Sequence, residues 1–80
     1  MEYWTYILYS ETLNKFYTGQ TNNLDARIER HNLALVKSTK NGIPWKLIYS
    51  TKQSSRTEAI KLETKIKKRG AKRFLDDLKT

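Results

Sequence analysis

Residues 3–9, Tyr3-Trp4-Thr5-Tyr6-Ile7-Leu8-Tyr9, are almost all aromatic or β-branched. A run of that kind favours a pleated strand with both faces covered. The segment from Ser10 to Lys15, with Asn14 in it, reads as a hairpin connection, and Phe16-Tyr17-Thr18-Gly19 as the returning strand. A turn centred between Thr12 and Leu13 sets Tyr6 opposite Gly19 and Leu8 opposite Tyr17, which makes Tyr6 and Tyr17 diagonal neighbours on one face. A slip of one residue would separate them.

Thr21-Asn22-Asn23 offers N-cap side chains for a helix over residues 23–35, with Leu24, Ile28 and Leu35 as its inward stripe and Arg27 and His31 at i, i+4 on a flank. Residues 36–44, which include Lys37, Lys40, Asn41-Gly42 and Pro44, read as a mobile basic loop. A third strand follows from Trp45 to Thr51, with Trp45, Leu47 and Tyr49 alternating against Lys46, Ile48 and Ser50. Ser55-Arg56-Thr57-Glu58 fits a capping box that opens a helix with Ala59, Ile60, Leu62 and Ile66 inward and a stop at Gly70. Glu63 rides at the edge of that stripe. A last short helix through Phe74, Leu75 and Leu78 completes the order β-β-α-β-α-α. The expected fold class is α/β or α+β: a small, three-stranded antiparallel sheet flanked by helices, with residues 1–80 forming one domain.

Charge narrows the partners. Sixteen Lys and Arg against eight Asp and Glu leave a net charge of +8, which favours a polyanion, nucleic acid first, through steering and counterion release. An anionic membrane would call for a basic helix with an exposed apolar face, and no helix here has an apolar stripe surplus to packing. There is no cysteine, hence neither a disulfide partner nor a thiolate zinc site. No export signal precedes the first strand, so a cytoplasmic location is expected.

Between Arg56 and Arg73 stand eight basic residues, Arg56, Lys61, Lys65, Lys67, Lys68, Arg69, Lys72 and Arg73, against two acidic ones. A solvated helix face is the plain interpretation of such a run. Taken with Lys37 and Lys40 of the loop, it reads as a phosphate-backbone footprint. Glu63, among Lys61, Lys65 and Lys67, suits either a surface ion pair or the single carboxylate that a Mg²⁺ phosphodiesterase needs. Arg27 has a fork suited to phosphate, and its near acids Asp25 and Glu29 lie two residues away, off its helix face. His31, the one histidine, is either a packed hydrogen-bonded side chain or a participant in proton transfer. Tyr6 and Tyr17 read as core residues with wet hydroxyls or as phenols beside a nucleophilic water. The second role requires a cation, such as Arg27 or an ion at Glu63, to lower their pKa. Gly19 leaves space beside the phenols for a phosphate to approach the backbone and the helix start at Asn22 and Asn23.

These residues, in this order, resemble the GIY-YIG nuclease superfamily, and within it the small stand-alone URI-type bacterial members. Trp4-Thr5-Tyr6-Ile7-Leu8 sits where that family has its first motif and Tyr17-Thr18-Gly19 where it has the second. Asn23 to Arg27 with Glu29-Arg30-His31-Asn32 is similar to the helix carrying the family's essential arginine. The stretch Arg56 to Lys67 is similar to the helix that supplies its glutamate. Trp4-Thr5 stands in place of Gly-Ile, Thr18 in place of Ile, and no asparagine follows Asn41, where many relatives have one. The resemblance implies a three-stranded antiparallel sheet and one-metal hydrolysis of a nucleic-acid phosphodiester. It carries water activation onto Tyr6 or Tyr17, phosphate stabilisation onto Arg27, and Mg²⁺ or Mn²⁺ ligation onto Glu63.

The leading expectation is therefore a metal-dependent endonuclease of the DNA-processing type, with Tyr6, Tyr17, Arg27, His31 and Glu63 catalytic. Nucleic acid, DNA first, would be held by Lys37, Lys40, Lys61, Lys65, Lys67, Lys68, Arg69, Lys72 and Arg73. The rival from another class is a module that binds nucleic acid without cutting it and serves as a partner in repair. A third reading is a protein-interaction domain whose charge serves solubility. Oligomeric state stays open.

Overall fold

The computed structural model describes residues 2–79. Strands β1 (Tyr3–Ser10), β2 (Lys15–Thr21) and β3 (Trp45–Gln53) form one antiparallel sheet in the order β2-β1-β3. Helix α1 (Leu24–Asn32) follows the hairpin, and α2 (Arg56–Arg69) and α3 (Ala71–Asp77) follow the last strand. The architecture is mixed α+β in the expected order. The composition of the first run now has its physical reason: β1 is the middle strand, and its residues alternate between two buried faces. Tyr6 and Leu8 join Trp45 in one core, against Tyr17, Leu24, Ile28 and Ile43. Ile7 joins Ile66 and Phe74 in the other, against Tyr49, Leu62, Ala71 and Leu75. Thr5 is buried on this second side, where its hydroxyl donates to the Ala59 carbonyl of α2 at 2.9 Å.

The hairpin has the expected register, Tyr6 facing Gly19 and Leu8 facing Tyr17. Four expectations elsewhere need correction. The alternation in β3 is broken by a bulge, because Ile7 pairs with Tyr49 while Leu8 pairs with Leu47, leaving Ile48 as the extra residue. Trp45 and Tyr49 therefore pack in different cores, and Leu47 and Ile48 both remain exposed. Helix α1 stops at Asn32 rather than continuing to 35. Ala34 takes φ 63°, the Leu35 N–H donates to the Arg30 carbonyl at 3.0 Å, and the Ala34 N–H donates to the His31 carbonyl at 3.4 Å. This is a Schellman closure with alanine where glycine is usual, and it turns Leu35 out to 62% exposure instead of inward. Ile60 and Leu78, also expected inside, are exposed at 43% and 54%, because the sheet takes only one stripe of α2 and α3 ends at Asp77.

The fourth correction concerns the loop expected to be mobile. It contains a single turn of 3₁₀ helix, Lys40–Gly42, and buries Thr39. Gly42 lies so close to the Trp45 indole that a Cβ there would stand 2.4 Å from a ring carbon. The Trp45 indole N–H donates to the Thr39 carbonyl at 2.6 Å. Asn32 clamps the backbone of the same tryptophan, accepting from its N–H at 2.7 Å and donating to its carbonyl at 3.1 Å. The segment is pinned at both ends, although Lys37 and Lys40 stay exposed. Among the described residues no helix is long and apolar enough to cross a membrane.

The left-handed alanine gives a direct test. An L side chain in that region carries roughly 1–2 kcal/mol of strain, so Ala34→Gly should raise stability by about 1 kcal/mol, less glycine's entropic cost. Urea denaturation of the two proteins checks it, and a destabilised variant would contradict the assignment of the helix end.

Candidate active site

Four elements converge on the hydroxyl of Tyr6. The strand pair puts the Tyr6 and Tyr17 rings side by side, centroids 6.5 Å apart. Helix α1 is capped by Asn23, whose side chain accepts from the Ala26 N–H at 3.2 Å, and it presents His31 one turn beyond Arg27. The imidazole is fully buried, edge-on to Tyr17 at 4.9 Å and to Tyr6 at 6.1 Å. Its Nε2 lies 3.1 Å from the Tyr6 hydroxyl and its Nδ1 2.7 Å from the Thr39 hydroxyl. The Arg27 guanidinium interacts with the Tyr6 oxygen, and the charge of Glu63 on α2 is felt there as well. His31 and Arg27 thus meet the Tyr6 oxygen, Tyr17 lies beside its ring, and Glu63 reaches it through its charge.

The electrostatics differ from expectation. Burial, seconded by Tyr17, pushes the Tyr6 phenol well above its ordinary value of 10; Arg27 opposes this and Glu63 adds to it. The expected cation is present, but desolvation outweighs it. Tyr6 therefore rests as a neutral phenol and needs a proton acceptor before it can act as a base. Burial, followed by the charges of Arg27 and Arg30, holds the His31 imidazole below its ordinary value of 6.5. A neutral imidazole, with one ring nitrogen free to accept, stands beside the phenol.

Gly19 plays a different part from the one expected. A Cβ at this position would stand 2.6 Å from the Tyr6 hydroxyl oxygen and 2.7 Å from the adjacent ring carbon. The space over Gly19 holds the phenol itself, not an approaching phosphate. The open approach lies nearby, in a polar cleft of about 120 Å³ lined by Tyr3, Gln20, Thr21, Asn22, Arg27 and Arg56. Arg56 entered the sequence reading only as one of a basic run; its place across the cleft from α1 depends on how α2 docks.

Glu63 keeps only 19% of its side chain exposed and pairs with Lys67 at 2.8 Å, one helical turn on. Both readings of that carboxylate survive, since the ion pair exists and Tyr6 feels its charge. The basic run is spread around α2 and α3. Successive helix residues turn by about 100°, so Lys61, Lys65 and Lys68 line a groove of about 760 Å³ between α2 and α3. Lys67 lies with Tyr17 and Thr18, and Lys72 beside Tyr9 and Ile48. Arg69 makes a two-pronged pair with Asp77 at 2.9 and 3.0 Å, and Lys61 pairs with Glu58 at 3.6 Å. Among the described residues, Lys37, Lys40, Lys65, Lys68, Lys72 and Arg73 have no salt bridge. Sequence reasoning missed Thr39 and the clamp of Asn32 on Trp45, because a threonine in a basic loop and an asparagine at a helix end carry no signal of the distant groups they meet.

Two measurements test this geometry. Gly19→Ala should cost about 1–3 kcal/mol by overpacking and should move the Tyr6 and His31 ring resonances together in NMR spectra; unchanged rings would contradict the close approach. The second is pH dependence. The folded protein binds fewer protons at His31 than the unfolded chain, so this contribution to stability is complete above about pH 6.5 and is lost as pH falls through the folded value. No other side chain of this chain has an ordinary pKa between about 5 and 8. The carboxyls of Glu2, Glu11 and Asp77 are held low by hydrogen bonds from Lys52, Lys46 and Arg69. Denaturation midpoints should therefore fall between about pH 7 and pH 5.5, and a flat profile would contradict the buried neutral histidine.

Comparison with known proteins places the chain in a family. The family model for the GIY-YIG catalytic domain matches residues 2–75. A UPF0213 protein of Staphylococcus haemolyticus is 44% identical over 55 residues, which span 68% of this chain and 67% of that protein. The solution NMR structure of a UPF0213 protein of Bacillus halodurans superposes with a TM-score of 0.60 at 32% identity, covering 99% of this chain and 86% of that one. With its motif tyrosines, arginine and glutamate gathered on a β-β-α-β-α-α frame, this chain belongs to the GIY-YIG catalytic domain family.

Proposed function

We propose that the protein is a metal-dependent nuclease that hydrolyses nucleic-acid phosphodiester bonds, with DNA the favoured polymer. The observation that carries this reading is the meeting of Tyr6, His31 and Arg27 at one phenolic oxygen, with Tyr17 beside the ring, the charge of Glu63 within reach and a two-arginine cleft nearby. The family is usually endonucleolytic and generally uses divalent metals.

Among the described residues no three His, Cys, Asp or Glu side chains lie together, which does not suit an all-protein cage. One hard, partly exposed carboxylate does suit Mg²⁺ or Mn²⁺, an ion that keeps several waters and completes its shell with substrate phosphate. The Lys67 ammonium on Glu63 supports this, because a cation already reaches that oxygen and is itself exposed enough to leave. When bound at Glu63 the ion would supply charge stabilisation at the scissile phosphate.

The chain's own residues account for the rest. Arg27 and Arg56 hold phosphate oxygens in the cleft, Arg27 with the geometry to neutralise charge as the phosphorus becomes five-coordinate. Water attacks phosphorus, and one of its protons passes to the Tyr6 oxygen while Tyr6 hands its own to His31. The departing oxygen takes a proton from solvent. That exchange reconciles a phenol of raised pKa with the work of a base, since Tyr6 need never exist as a free phenolate. Tyr17 packs against the imidazole and the Trp45 ring and closes the pocket.

The competing reading, a module that binds without cutting, draws on the Glu63–Lys67 pair, which satisfies the carboxylate without any ion. One experiment separates the two. Purified protein is incubated with single-stranded, nicked, branched and duplex DNA and with RNA, with Mg²⁺, Mn²⁺ or chelator. Metal-dependent cutting is expected, lowered about 100-fold or more in Arg27→Gln and in Glu63→Gln and retained in Lys67→Gln. Cutting in chelator, or full activity in Glu63→Gln, refutes the metal assignment; salt-sensitive binding without cleavage on any substrate supports the competing reading.

A further inference from the structure

We propose that Thr39 is a positioning residue that fixes His31 as the Nδ1–H tautomer, so that the lone pair on Nε2 faces the Tyr6 phenol as its proton acceptor. In the resting protein these groups form a closed chain along which hydrogens can be counted. Tyr6 and His31 are fully buried and Thr39 is 1% exposed, so each proton must find its partner within the protein. The Thr39 hydroxyl has one hydrogen and lies 3.3 Å from the Val36 carbonyl, which can only accept. With that hydrogen directed to Val36, its oxygen accepts from Nδ1 at 2.7 Å. Nε2 then carries no hydrogen, and the Tyr6 hydroxyl donates to it at 3.1 Å.

The other end of the chain gives the same direction independently. Were Nε2 protonated, it would donate to Tyr6, and the phenolic hydrogen would need another acceptor. Besides His31, the side chain in hydrogen-bonding reach of the phenol is Arg27, which has donors only. This arrangement gives every group a partner, and among the described residues no buried side-chain polar atom lacks one.

The fold holds Thr39 firmly enough for this work. Its N–H donates to the Val36 carbonyl at 3.1 Å, and its own carbonyl accepts from the Gly42 N–H at 3.1 Å and from the Trp45 indole at 2.6 Å. A threonine eight residues past the histidine thus acts from a separate segment, and Trp45 anchors it. The tautomer stands whatever the protein's reaction; its use in accepting the phenol's proton rests on the nuclease reading.

His31 is the only histidine, so a long-range ¹H–¹⁵N correlation spectrum of the imidazole assigns the tautomer without ambiguity. At neutral pH the wild type should show a protonated Nδ1 and an unprotonated Nε2. Thr39→Ser, which keeps the hydroxyl, should show the same pattern, and Thr39→Val should lose it in favour of Nε2–H. A wild type protonated at Nε2 overturns the proposal even if the valine variant fails to fold, and so does a folded Thr39→Val that keeps Nδ1–H. In the cleavage assay Thr39→Val should lower kcat roughly 10- to 100-fold with KM unchanged, and Thr39→Ser should restore it. Unchanged kcat in a folded Thr39→Val overturns the positioning role. If the wild type cuts nothing, the nuclease reading fails while the spectrum still decides the tautomer.

Discussion

The hydrogen bond from the Tyr6 phenol to His31 is the contact on which the rest of the arrangement depends. A buried hydroxyl without a partner would cost several kcal/mol of desolvation, so once the middle strand places Tyr6 inside, something must meet it. The Tyr6 ring reaches that partner by lying over Gly19, which requires the hairpin register observed. Helix α1 must then dock with His31 inward, and the following loop must fold back to satisfy the far ring nitrogen through Thr39. One polar contact thereby couples strand pairing, helix docking and loop closure.

The two faces of the sheet divide the labour. On one, Ile7, Ile66 and Phe74 bury apolar surface against α2 and α3, with Tyr49 edge-on to Phe74 at 5.4 Å. That face is built mainly of apolar packing and reads as stability. The other mixes apolar packing with a phenol pair, an imidazole and a guanidinium, and the low local dielectric raises the phenol and lowers the imidazole together. Opposed shifts of this kind keep both groups neutral at rest and joined by a hydrogen bond rather than an ion pair. The sheet thus serves as both core and wall of the site.

Charge behaves less simply than its total of +8 suggests. Helical rotation scatters the lysines of α2 over separate surfaces, and Asp77 takes up the one arginine of that helix's last turn. The pair of cations best placed for a phosphate is Arg27 with Arg56, from two elements far apart in the chain. Net charge accounts for attraction to a polyanion; the positions of a few guanidinium groups account for where it would rest.

Much of this was readable from residue order. The run 3–9, the turn at Asn14, the caps at Asn23 and Ser55 and the stop at Gly70 rest on local rules of strand composition, backbone dihedral preference and capping, and each appears where expected. Local rules also placed Tyr6 beside Tyr17 and Arg27 one turn before His31. They failed where a distant contact or an unmarked residue decided the outcome: the left-handed Ala34, the bulge that sends Trp45 and Tyr49 to different cores, and the loop that Asn32 and Trp45 pin down. The types and spacing of the chemical groups were thus set by sequence, because helix and strand periodicity are properties of the chain alone. Which phenol is buried, which ring nitrogen faces it and whether burial or a neighbouring charge governs its pKa belonged to the tertiary structure, because desolvation and hydrogen-bond direction exist only once segments remote in sequence close around the same atom.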